Sequence, residues 1–118
     1  MFEEILSNAY RRIDGAIICA VIDEEGIPIA LYPKENENAE ATELILQVLN
    51  ELKQTIILIK ENNFGNTEEI TIRTTKYILL IKPLNDNYFL VSVLSTNSIS
   101  GKARYVLKII EDDIKAQL

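Results

Sequence analysis

The chain has 118 residues, 47% of them hydrophobic and 25% charged, a balance that suits one domain and argues against disorder; at this length roughly two thirds of the unfolded surface can be buried without disulfides or metal. The formal net charge of −6 speaks against nucleic acid as a partner, because that affinity comes mainly from clustered Lys and Arg. Histidine is absent and Cys19 is the only cysteine, which removes the commonest general base and metal ligand and any intramolecular disulfide.

Phe2, Ile5, Leu6, Ala9, Tyr10 and Ile13 recur at helical spacing, predicting an amphipathic helix that ends near Asp14-Gly15 and covers a sheet. The start MFEEILSNAY lacks the basic residues and apolar run of a signal peptide, and no apolar run approaches the ~20 residues needed to cross a bilayer. A cytoplasmic protein with no direct membrane insertion is expected. From Gly15 to Asp23 the chain is apolar on both alternating faces, with Ala16, Ile18, Ala20 and Ile22 on one and Ile17, Cys19 and Val21 on the other. Such a strand lies inside a sheet covered on both sides. Asp23-Glu24-Glu25-Gly26 is a turn signal, and Ile27 to Tyr32 returns as the second arm of a hairpin. Pro28 within that arm and Pro33 just after it make it an edge strand.

The longest helical stretch runs from Asn38, a good N-cap, to about Asn62. Leu44, Ile45, Val48, Leu49, Leu52, Ile56 and Ile59 fall on one broad face, the expected core stripe. Leu46 and Ile57, with Lys53 between them, lie well round the helix from that stripe. Packing on a single sheet would leave them in water, which points to a second chain. Glu43, Gln47, Asn50, Glu51 and Gln54 form a polar arc that faces solvent or a docking partner.

Asn62 to Asn66 breaks the helix, and three strands follow: Glu69–Thr74, half-buried; then Tyr77–Lys82 and Tyr88–Leu94, apolar on both faces. Short turns at Thr75-Lys76 and Leu84–Asn87 join them. Ile99, Ala103, Val106, Leu107, Ile110 and Ile114 mark a last amphipathic helix, with Ser98 or Ser100 as its cap. No linker or repeat divides the chain, so residues 1–118 read as a single domain. Hairpin adjacency, together with the two-faced apolarity of strands one, four and five, allows one arrangement. It is an α/β/α sandwich on a five-stranded antiparallel sheet of order 2-1-5-4-3, the long helix on one face and the two terminal helices on the other.

The two sheet edges differ. Strand two carries proline, whereas TEEITIRTT has neither Pro nor Gly and many β-branched residues, an edge that invites pairing. Together with the spare helix flank this predicts a dimer about a two-fold axis, with a sheet continuous through two copies of strand three. Its interface residues are Leu46, Lys53, Ile57, Ile70, Thr71, Ile72, Arg73 and Thr74. Glu43, Gln47, Asn50 and Gln54 are the surface offered to a further partner.

Catalytic chemistry finds little to use. Cys19, in an inner strand, reads as a small buried apolar residue. Asp23, Glu24 and Glu25 are explained by turn geometry without a metal, and Glu111-Asp112-Asp113 by surface solubility or, as the alternative, an acidic contact. Four glycines, at 15, 26, 65 and 101, can write no phosphate loop. Arg11, Arg12, Arg73 and Arg104 have no context that marks any of them as an arginine finger. No enzyme, cofactor or metal site is expected.

The order of elements, DGAIICAVIDEEGIPIA at the first hairpin, NAEATELILQVLNEL in the long helix, EITIRTTKYILLIKPL and YFLVSVLSTNSISGKARYVLK resemble the roadblock family of dynein light-chain and small-GTPase regulatory proteins, over nearly the whole chain. The resemblance implies the same profilin-like sandwich and homodimerisation, or heterodimerisation with a roadblock paralogue, through the long helix and third strand. It implies service as a platform for or regulator of a Ras-like small GTPase; the alternative is a structural adaptor subunit of a motor or membrane-associated complex. A small-molecule sensor is the third reading, opposed by inner faces that are almost wholly Ile, Leu and Val, broken by Ser92. One departure is the turn Thr75-Lys76, where the family often has glycine.

Overall fold

A computed structural model describes residues 2–34, 39–98 and 100–118. The elements are α1 (Phe2–Arg12), β1 (Ala16–Asp23), β2 (Pro28–Tyr32), α2 (Ala39–Glu61), β3 (Ile70–Arg73), β4 (Tyr77–Asn85), β5 (Tyr88–Ser95) and α3 (Ser100–Lys115). Every pairing is antiparallel and the sheet order is β2-β1-β5-β4-β3, as hairpin adjacency and two-faced apolarity require. The proposed cap Asn38 and the apolar Ile99 lie outside the described residues.

Two apolar layers hold the sandwich together. On one face Leu6, Ala9 and Ile13 from the N-terminal region and Ala103, Val106, Leu107, Ile110 and Ile114 of α3 pack with Cys19, Val21, Ile78, Leu80, Leu90 and Leu94 of the sheet. On the other, Ile45 and Leu49 of α2 pack with Ile18, Ala20, Ile22, Leu79, Ile81, Phe89, Val91 and Val93. Each face excludes water from large aliphatic side chains, and each such burial contributes about 1.5–3 kcal/mol. Ser92, the polar break in these faces, is itself satisfied: its hydroxyl donates to the Ile18 carbonyl at 3.1 Å and lies 3.5 Å from the Cys19 sulfur.

The strands depart from simple alternation at three bulges. A register irregularity between Ala16 and Ile18 turns Ile17 onto the α2 face and Ala16 onto the terminal-helix face, the reverse of the alternating pattern. A second, opposite Val21 and Ile22, leaves Ile29 of β2 as an extra residue. The third lies between Pro83 and Asn85. It lets β4 run on to Asn85, past the expected end at Lys82, with Leu84 buried beneath the terminal helices and only Asp86-Asn87 left as the turn. β3 is shorter than expected, four residues from Ile70 to Arg73.

Gly15 makes the passage from α1 into β1 with φ +86°, and a Cβ there would stand 2.6 Å from the Ser95 hydroxyl oxygen. Only glycine meets both demands. Ser98 does not cap α3. Its hydroxyl donates to the Asp14 carbonyl at 2.7 Å, tying the start of β1 to the end of β5.

Candidate functional site

The core stripe of α2 is narrower than its periodicity suggests. Ile45 and Leu49 are fully buried, while Leu46, Val48, Leu52 and Ile56 pack at their margin. Leu44 and Ile59, expected in the stripe, are 55% and 37% exposed. Leu44 sits too far round the helix, and Ile59 falls in the last turns of a helix of 23 residues, about 34 Å long against about 27 Å for an eight-residue strand. The helix outruns its support.

The flank of α2 that carries Lys53 and Ile57 faces the β3 side of the sheet. Both residues line an open groove of about 1320 Å³ together with Glu69, Lys82, Pro83 and Arg104. Ile57 is 48% exposed, Lys53 is half-buried, and Leu46, on the same flank two and three turns earlier, is half-buried against the α2 layer. Leu46 is therefore less spare than the sequence implies, because the margin of the sheet reaches it. Glu43, Gln47, Asn50 and Gln54 are all exposed and form one ridge on the side of α2 turned away from the sheet.

The main chain of β3 shows which groups are free. The Thr74 N–H donates to the Tyr77 carbonyl at 2.8 Å, so by alternation Ile70 and Ile72 also point their N–H and C=O at β4, while Thr71 and Arg73 point theirs outward. Those outward groups form the open edge. Ile70 and Ile72 place their side chains against the α2 layer, half-buried; Thr71 and Arg73 lie on the other face, exposed. Thr74 has a task within the chain as well. Its hydroxyl oxygen accepts from the Lys76 and Tyr77 N–H groups at 3.1 and 3.0 Å, closing the hairpin where the resembling family often uses glycine.

Arg104 acquires a context that helical spacing could not reveal. From α3 its Nε donates to Glu69 Oε2 at 3.1 Å and its Nη2 to the Thr71 hydroxyl at 3.1 Å. It is a brace for the edge strand. Glu111 is likewise not simply a solubilising charge. It lies 3.9 Å from Nζ of the buried Lys82 and 3.4 Å from Nζ of Lys115, neutralising a lysine that α3 covers.

The remaining candidates are structural. Asp23 Oδ1 accepts from the Glu25 and Ile27 N–H groups at 2.9 and 2.8 Å, which fixes the acidic hairpin turn. Burial pushes the Cys19 thiol up to about 11, far from a reactive thiolate. Among the described residues no group of His, Cys, Asp and Glu could hold a metal ion, and no helix is long and apolar enough to cross a membrane.

No family model matches the chain, and no curated protein does. Solved structures do. MglC from Myxococcus xanthus aligns with 22% identity over 99% of this chain and 98% of its own, at a TM-score of 0.74. A roadblock/LC7 domain from Streptomyces avermitilis aligns over 98% and 95% at 0.83, with 7% identity. The gliding protein MglB from Thermus thermophilus aligns over 96% and 84% at 0.80, with 19% identity. Sheet order, helix layers and these superpositions agree: the chain has the roadblock/LC7 fold.

Proposed function

We propose that the protein is a non-catalytic dimeric module that binds a Ras-like small GTPase and modulates or localises it. The observation that carries this reading is the continuity of one unguarded surface, from the outward main chain of Thr71 and Arg73 to the half-exposed flank of Leu46, Lys53 and Ile57 on α2. Antiparallel pairing of two such edges places both copies of α2 on the same face of the joined sheet. Their ridges of Glu43, Gln47, Asn50 and Gln54 then lie side by side as one wide polar platform. The roadblock fold supports a regulatory or scaffold role, and a platform that orients a partner's own catalytic groups needs no catalytic residue of its own.

Two measurements test the proposal. Sedimentation should give twice the monomer mass, and Ile57→Glu, placing two charges in the interface, should return the monomer with its melting temperature changed by no more than a few degrees. A wild-type monomer at tens of micromolar would overturn the dimer. Capture from native extract should recover a small GTPase whose hydrolysis rate or location changes with this chain. Recovery of a large assembly without one would move the assignment to a structural adaptor.

A further inference from the structure

The edge strand reads TEEITIRTTK, acidic before the strand and basic at and after its end. Within the chain these charges are not equivalent. Glu69 is held by Arg104 through Oε2, while Arg73 is exposed and has no ion-pair partner among the described residues. An unpaired cation on an open edge is a specificity element awaiting its opposite charge.

Main-chain geometry restricts what that opposite charge can be. Antiparallel pairing of β3 with an identical strand must set outward residues against outward residues, so Glu69, Thr71 and Arg73 can face only one another. Three central registers result. With Thr71 opposite Arg73, Ile72 meets itself but Ile70 faces Thr74. With Glu69 opposite Thr71, Ile70 meets itself and Ile72 faces Glu68. With Thr71 opposite Thr71, Glu69 of each copy faces Arg73 of the other, and Ile70 of each copy faces Ile72 of the other on the α2 side. Only this last register satisfies both faces at once. It pairs opposite charges twice and sets four isoleucines together.

We propose that Glu69 and Arg73 fix the pairing of two copies at the β3 edge to the register centred on Thr71. This rests on the dimer reading above and adds the alignment of the two strands to it. The bond between Arg104 and Glu69 serves the same end, holding the carboxylate on the strand face where the second copy's Arg73 arrives. A partner lacking the acid-then-base order would leave Arg73 without its counter-charge.

Charge reversal and cross-linking test this. Glu69→Arg and Arg73→Glu should each weaken self-association at least tenfold by setting like charges opposite one another. An equimolar mixture of the two should restore the dimer, because each reversed charge then meets its opposite. If the wild type is dimeric and both variants associate as tightly, or if the folded variants fail to rescue one another, the register is wrong. Thermal melting of each variant checks folding, since Glu69→Arg also removes a contact with Arg104. Cross-linking gives an independent reading. In the proposed register the two Thr71 Cα atoms are about 5.5 Å apart, within disulfide range, whereas two Arg73 residues are about 13 Å apart. Oxidised Thr71→Cys should therefore form a covalent dimer and Arg73→Cys should not; the reverse result overturns the proposal. A wild-type monomer overturns instead the dimer reading on which the proposal rests.

Discussion

The two edges of this sheet show opposite treatments of the same hazard. At the β2 edge, Ile27 accepts through its carbonyl from the Asp23 N–H, so Pro28 directs its substituted nitrogen outward, where a further strand would need a donor. The bulge at Ile29 then distorts the same edge. At the opposite edge, Thr71 and Arg73 present ordinary outward amides without bulge or proline. Pro83 appears only where β4 overhangs β3, which pairs no further than Ile81. The contrast teaches that the opening on the β3 side is confined to one short window.

The contrast can be broken from either side. The largest effect is expected from Arg73→Pro, which gives β3 the protection β2 already has. The Arg73 amide points outward, so no ladder bond within the chain is lost, while two inter-chain bonds disappear from the symmetric pair. Sedimentation equilibrium should show dimerisation weakened by about 2 kcal/mol, roughly thirtyfold, beyond any contribution from the lost charge. Retention of the wild-type dimer would mean that the edge is not the interface. Pro28→Val is the converse and should be milder, because the bulge at Ile29 persists; species heavier than the dimer should appear only at high concentration. Their absence would show that the bulge alone guards this edge. The smallest effect belongs to Arg104→Met, which removes a partly exposed brace contributing about 0.5–1 kcal/mol. Amide exchange should quicken in β3 and stay unchanged in β2. Equal changes at both edges would show general destabilisation.

Much of this could be read from residues because the sheet is covered on both faces. Two-faced apolarity in strands one, four and five left only one interior for them, and prolines marked the guarded edge. Bulges were harder to read: Ala16 and Ile17 differ too little in character to reveal which of them turns over. The limits of the α2 core were hidden for another reason. Helical period gives the direction in which Leu44 and Ile59 project, but not how far the sheet extends beneath them. Spacing cannot reveal the contacts of Arg104 and Glu111, because their partners, Glu69 and Lys82, come from other parts of the chain and meet them only after the sandwich closes.

The brace from Arg104 also ties a terminal helix to the segment that forms the open edge. α3 lies on the side opposite α2, and its guanidinium holds Glu69 and Thr71, two side chains that the edge segment turns to that same side. Any occupant of α3 that engaged Arg104 and any strand pairing at β3 would therefore be linked in the thermodynamic sense. A ligand that drew Arg104 away would loosen the edge, and formation of the pair would weaken that ligand by the same factor.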